Sequence, residues 1–255
     1  MSDDRGSTEG SRDPALTRVR QGLRRNAAAI LTAVAATVLV QLSVWAFAVR
    51  RMPAADAAAL TLLASVLWVF IAAPIFAAGG RTGLEGLFRG GSVIDASIVL
   101  LVVLAVRGRP LQWMGAVKVY LILAAVGLTQ CALVWTAGSA RARHVLAAAA
   151  VLLVLAVSAG PFWANGAIMA APGPWRDRIG YAVVAANPVF AFAGCLPKGS
   201  FIWHQKPLLY EFTVLGRDSP MHPAAWYVTV MVYAVLAAAV AAAAVARRAG
   251  KTPSH

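Results

Sequence analysis

Charge is scarce in this chain. Asp, Glu, Lys and Arg together make up 13% of its residues, where a soluble domain carries about 25%. That shortage excludes an ordinary soluble fold. Acidic residues are scarcer still, 10 against 23 basic ones. In a soluble chain the resulting +13 net charge would point to nucleic acid. Here the basic residues punctuate apolar runs, the pattern of membrane-flanking anchors, and nucleic acid is not expected as a partner. Cysteine occurs twice. Cys131 lies inside an apolar run and Cys195 in a connection, which makes neither a disulfide framework nor a metal signature.

Chemistry-bearing motifs are equally thin. The nearest approach to a phosphate-binding loop is GCLPKGSF at 194–201, but Ser200 stands where G-x-x-x-x-G-K-[ST] demands lysine. The histidines are His144, His204, His222 and His255. No C-x-x-C-H occurs, and His204 with His222 as haem ligands has only the two imidazoles in its favour. A Ser200/His204/Asp218 site can be written down, but nothing in the sequence fixes its geometry. Glu211 and Asp218, with Arg217 between them, read as surface charges. No catalytic residue and no metal site is assigned.

What the chain has in quantity is apolar residues, 60% of the total, with a mean hydropathy of +0.71. A helix needs about 20 apolar residues to cross a bilayer core. Six segments reach or approach that length, at 27–49, 57–78, 92–106, 111–137, 144–171 and 222–246. The expectation is an all-α polytopic membrane protein with six transmembrane helices. Ala46-Phe47-Ala48 mimics a signal-peptide cleavage site, but the apolar run before it exceeds the 7–15 residues of a signal's apolar region. Pro74 should kink the second span. Gly160-Pro161 should break the fifth. The third run is short and can start inside the stretch that precedes it.

Around this transmembrane domain (27–246) lie a polar tail at 1–26 and a short tail at 247–255. The tail ends in ALTRVRQGLRR, where Leu16, Val19 and Leu23 share a face ringed by Arg18, Arg20, Arg24 and Arg25. This reads as a basic amphipathic lead-in lying on the membrane surface. The longest connection, 172–221, is partly apolar. YAVVAANPVFAFAGCLP at 181–197 is too short to span and carries Pro188, which suits a re-entrant or interfacial element. Trp163, Trp175, Trp203, Trp226 and Tyr227 gather around it, and such residues favour the headgroup level.

The side holding both termini collects Arg5, Arg12, Arg18, Arg20, Arg24 and Arg25, then Arg81, Arg89, Arg141, Arg143, Arg247, Arg248 and Lys251. The short loops opposite hold Arg50, Arg51, Arg107 and Arg109. The positive-inside rule then puts both termini in the cytoplasm. Two ionisable residues fall within spans, Asp95 and Lys118. They are intramembrane polar candidates for transport, or else a structural ion pair or a snorkelling couple.

One short stretch remains. Residues 79–91 read GGRTGLEGLFRGG, between the second and third spans. Leu84, Leu87 and Phe88 fall at helical spacing, and Arg81, Glu85 and Arg89 lie one turn apart on another face, where Glu85 can pair with either arginine. Gly83 and Gly86 each cost a helix about 1 kcal/mol relative to alanine, so they read as interruptions. A plain loop needs no apolar face; a docking element or an interfacial helix does.

In its six spans, lead-in, amphipathic segment after span two and aromatic connection before span six, the chain resembles the permease subunits of ABC-2 type ABC transporters. The local likeness is RTGLEGLF (81–88), where Thr82, Leu84, Glu85, Leu87 and Phe88 fall on a G-T-L-E-L-L-like run. Asn187-Pro188 resembles a proline-containing sequence that often precedes the final external helices. The resemblance implies a non-enzymatic, multi-pass permease subunit of a bacterial-type inner (plasma) membrane. It implies that Arg81, Thr82, Leu84, Glu85, Leu87, Phe88 and Arg89 form a coupling helix for a separate P-loop ATPase subunit, and that Asn187 and Pro188 belong to an external re-entrant element. ATP and Mg would sit on that partner, with no cofactor on this chain, and a second permease copy or homologue would complete the assembly, in contact with membrane lipid. Two other classes stay open: an intramembrane or outer-face enzyme using His204, Glu211, Asp218 or His222, and a non-catalytic membrane scaffold or assembly factor.

Overall fold

The computed structural model describes residues 14–107, 111–196 and 225–249, the side chains of 14–23 and 247–249 excepted. All regular structure among them is helical. The helices are α1 (Pro14–Val49), α2 (Ala54–Ala78), α3 (Gly83–Arg107), α4 (Trp113–Trp135), α5 (Ala140–Ser158), α6 (Gly160–Trp163), α7 (Asn165–Ala170), α8 (Gly173–Ala186), α9 (Pro188–Gly194) and α10 (Trp226–Ala249). Six of these, α1 to α5 and α10, are long and apolar enough to cross a membrane.

The three central helices, α2, α3 and α4, pack mutually and carry most of the buried core, including Leu62, Val66, Phe70, Val93, Leu104, Ile122 and Leu123. α1 lies against α2 and α3, α5 against α2 and α4, and α10 against α4. The outer three turn apolar side chains outward, among them Leu31, Leu39, Leu152, Leu153, Val235 and Leu236. In water such exposure would be costly; against lipid tails it is the expected surface.

Because lipid offers no hydrophobic drive between helices, close backbone approach and side-chain hydrogen bonds must join them. Both are present. Ala73 and Ala77 of α2 face Gly86 and Gly90 of α3, a small-xxx-small pair on each side. A Cβ added at Gly86 would stand 2.8 Å from the Ala77 carbonyl oxygen, and one at Gly90 would stand 2.9 Å from that of Ala73. The same Gly90 position is crowded by Cys131 of α4, and Gly83 lies against the Trp135 ring. The two glycines expected to interrupt the helix therefore do not: Gly83 opens α3 and Gly86 lies within its unbroken run, and lack of a side chain is what lets α2 and α4 approach.

Pro74 sits inside α2. Proline has no N–H to offer the carbonyl four residues back, which is Phe70. That carbonyl receives the Gln130 side-chain amide of α4 instead, at 2.9 Å, and the same amide nitrogen reaches Ala150 O of α5 at 3.2 Å. One glutamine thus satisfies the acceptor that proline orphans and ties three spans together. Trp68 Nε1 donates to Thr37 Oγ1 between α2 and α1 at 3.1 Å, and Thr129 Oγ1 donates to Tyr233 O between α4 and α10 at 2.8 Å.

One expectation is revised and one boundary is fixed. The 14–25 stretch is not a separate lead-in helix: α1 continues without a break from Pro14 to Val49, about 54 Å at 1.5 Å per residue. The fifth apolar run, 144–171, is divided beside the break expected at Gly160-Pro161: its long helix ends at Ser158, and the short helices α6 to α9 follow. These four cover one end of the bundle. The opposite end, formed by the connections at 79–82 and 136–139, is the turn end.

Candidate functional site

The turn end holds the segment 81–91, and the structure makes it the opening of α3 rather than a helix of its own. Its start is capped. Thr82 Oγ1 accepts the Glu85 N–H at 3.1 Å, while Glu85 Oε2 accepts the Arg81 N–H at 2.9 Å. This is a capping box displaced by one residue on the carboxylate side, and it satisfies N-terminal donors that would otherwise lack partners. Glu85 is therefore occupied as a helix cap.

Arg89 does not pair with Glu85. Its Nε donates to Asn26 Oδ1 of α1 at 2.9 Å, and one Nη donates to Gly79 O, just past α2, at 2.7 Å. Arg143, in the first turn of α5, donates to Arg81 O at 3.0 Å. The segment is thus held to α1, to the end of α2 and to α5.

The apolar face divides. Leu87 packs against the core. Leu84 and Phe88, one turn apart, remain 64% and 57% exposed. The expected three-residue face is a two-residue one. At the same end, away from Leu84 and Phe88, opens a cavity of about 360 Å³ lined by Arg81, Thr82, Gly83, Gly86, Trp135 and Arg143, among others.

Asp95 and Lys118 are not partners. Asp95, midway along α3 and exposed, accepts the Tyr120 hydroxyl at 2.8 Å. Lys118, two residues earlier on α4, lies toward Cys195, whose carbonyl oxygen comes close to Gly115 on the preceding turn. Burial pushes the Cys195 thiol up to about 11, with the nearby Lys118 charge acting against that rise. The sequence signal for Tyr120 as the partner of Asp95 is a tyrosine inside a span, where a hydroxyl in lipid needs an acceptor.

Asn187 and Pro188 sit at the covered end and are both buried. Asn187 Oδ1 accepts the Val189 and Phe190 N–H groups at 2.9 and 3.2 Å, and its Nδ2 donates to Ser158 O, at the end of α5, at 2.9 Å. Pro188 takes the first helical position of α9, where its missing N–H costs nothing. The pair fastens α9 to the end of the fifth long helix. α9 in turn lies against α4, α5 and α10, with Phe192 fully buried.

Ser200, Trp203, His204, Glu211, Arg217, Asp218, His222 and His255 lie outside the described residues. Among the described residues, no group of three or more His, Cys, Asp or Glu side chains could hold a metal ion. The fold defines a multi-pass helical membrane protein. No protein-family model, no curated protein and no solved structure matches the chain.

Proposed function

We propose that the chain is the membrane-spanning subunit of an ABC-2 type transporter, working with a separate P-loop ATPase docked at the opening of α3. The observation that carries this reading is the exposed pair Leu84 and Phe88 on a capped helix start that is fastened to three other helices. An element held this way transmits a push from a soluble partner to α1, α2 and α5 together, which a loose loop would not do. The two leucine and phenylalanine side chains would enter a groove on the ATPase, with Arg81 and Arg143 facing acidic groups at its rim.

In this reading the turn end and both termini face the cytoplasm, a second permease copy completes the pathway, and ATP with Mg is bound by the partner. Closure of two ATPases would move two membrane subunits between arrangements. The substrate would cross between the subunits, and this chain would perform no bond chemistry.

The test is affinity capture from the native host in mild detergent, comparing wild type with a Leu84→Asp/Phe88→Asp variant. These positions spare Glu85, whose loss would damage the helix start itself. Recovery of a chain with a G-x-x-x-x-G-K-[ST] loop by wild type, and its loss in a variant that still elutes as folded protein, is the expected result. Absence of such a chain from both captures would overturn the reading.

A further inference from the structure

A second feature lies at the opposite end of the bundle, on the lipid side, and is independent of the docking segment. α1 and α3 part there to leave an apolar groove of about 150 Å³. Leu42, Val99 and Val103 line it, with Trp45 and Arg107 toward the ends of α1 and α3. Its lining includes a group that does not belong in an apolar groove. Gln41 is 5% exposed, and its amide nitrogen has no hydrogen-bond partner. A buried amide N–H without an acceptor is costly, and more so where no water reaches. The chain supplies no acceptor there.

We propose that the groove binds one glycerophospholipid with an anionic headgroup, the ester carbonyl accepting from Gln41 and the phosphate from Arg107. Three observations converge on that ligand. The walls suit an acyl chain and nothing polar. Arg107 holds its guanidinium over the Trp45 ring, 5.6 Å from the centroid, a stacking that leaves the N–H edge free for a phosphate fork. Tryptophan favours the headgroup level, and Gln41 lies one turn deeper on the same helix face, about 6 Å along the axis. A glycerophospholipid presents its groups in that order: phosphate at the surface, ester carbonyls just beneath, chains below. Water could fill a polar pocket but not this one, and a detergent lacking the ester would leave the Gln41 donor unpaired. The cavity holds part of one chain, and the remainder runs deeper, past Val38 and Val99.

The test uses the full chain, stripped of lipid in detergent and reloaded with dioleoylphosphatidylglycerol or dioleoylphosphatidylcholine, with bound lipid counted by native mass spectrometry. Wild type should retain the anionic lipid about tenfold more tightly, the range of a charge-assisted contact. Arg107→Gln should abolish that preference. Gln41→Leu, which fills the same space without a donor, should weaken both lipids about fivefold. Equal retention of the two lipids by wild type, or unchanged retention by Gln41→Leu, overturns the proposal. A variant that fails to fold leaves the wild-type protein to decide. Phosphatidylglycerol with a photoreactive tail should label peptides from 38–45 and 99–107, and labelling confined to α5 and α10 would contradict the assignment.

Discussion

Replacing Gln130 with leucine should destabilise the wild-type protein yet be nearly neutral once Pro74 is alanine. The reasoning runs through one carbonyl. Phe70 O loses its helical donor because residue 74 is proline, and Gln130 replaces that donor at 2.9 Å. Phe70 is fully buried, so removing the glutamine leaves an acceptor that water cannot reach. Orphaning such a group costs about 1–3 kcal/mol. Hydrogen bonds between membrane helices measure lower, about 0.6 kcal/mol on average and up to about 1.7. Part of the cost is offset because Gln130 Oε1 is itself buried without a partner and leaves with the side chain. The net loss for Gln130→Leu should be about 1 kcal/mol. In a Pro74→Ala background the new N–H serves Phe70 O, and the loss should fall close to zero. The weaker contact to Ala150 O at 3.2 Å is lost in both backgrounds and cancels. The assay is a double-mutant cycle on unfolding in mixed micelles, followed by tryptophan fluorescence. Additivity to within about 0.3–0.5 kcal/mol would refute the claim that the glutamine serves the carbonyl proline leaves open.

Three further outcomes can be checked in the same preparation. Gly86→Ala and Gly90→Ala should each destabilise by about 1–3 kcal/mol through overpacking, although helix propensity alone favours alanine by about 1 kcal/mol; Gly91→Ala, with open space around it, should stabilise, so the signs in thermal unfolding separate packing from propensity. Asn187→Ala should cost about 2 kcal/mol, since it removes a helix cap and a buried tie to Ser158 O together, and Asn187→Ser should recover part of that loss in the same melt. In a Cys131→Ala background, maleimide labelling of Cys195 should be slow at pH 7.5 and rise about tenfold per pH unit toward pH 9.5, because the thiolate is the reactive form and the thiol is pushed up to about 11; rapid labelling at pH 7.5 would contradict its burial.

The spans were legible in the sequence because apolar length is a local property, and lipid makes it nearly sufficient. The break after Ser158 was legible near Gly160-Pro161 for the same reason: proline acts on its own helix. What could not be read were roles set by a neighbouring helix. Gly83 and Gly86 look like helix breakers until Trp135 and Ala77 are placed beside them. Glu85 looks like an arginine partner until the helix start is located, after which Thr82 and Glu85 read as a cap. Leu87 shares a spacing pattern with Leu84 and Phe88, but only the packing of α3 shows that it turns inward. The glycine spacing at 86–90 is itself a readable sign of close helix packing, hidden when Gly86 is read as an interruption of a short surface helix.

The docking claim is tested most directly by replacing Phe88 with a benzophenone-bearing residue and irradiating native membranes. The account predicts a protein adduct at position 88 to a P-loop ATPase, lost when Leu84→Asp is added. Adducts to lipid alone, with the protein folded and abundant, would show the Leu84 and Phe88 face resting in the membrane surface and would contradict the proposal.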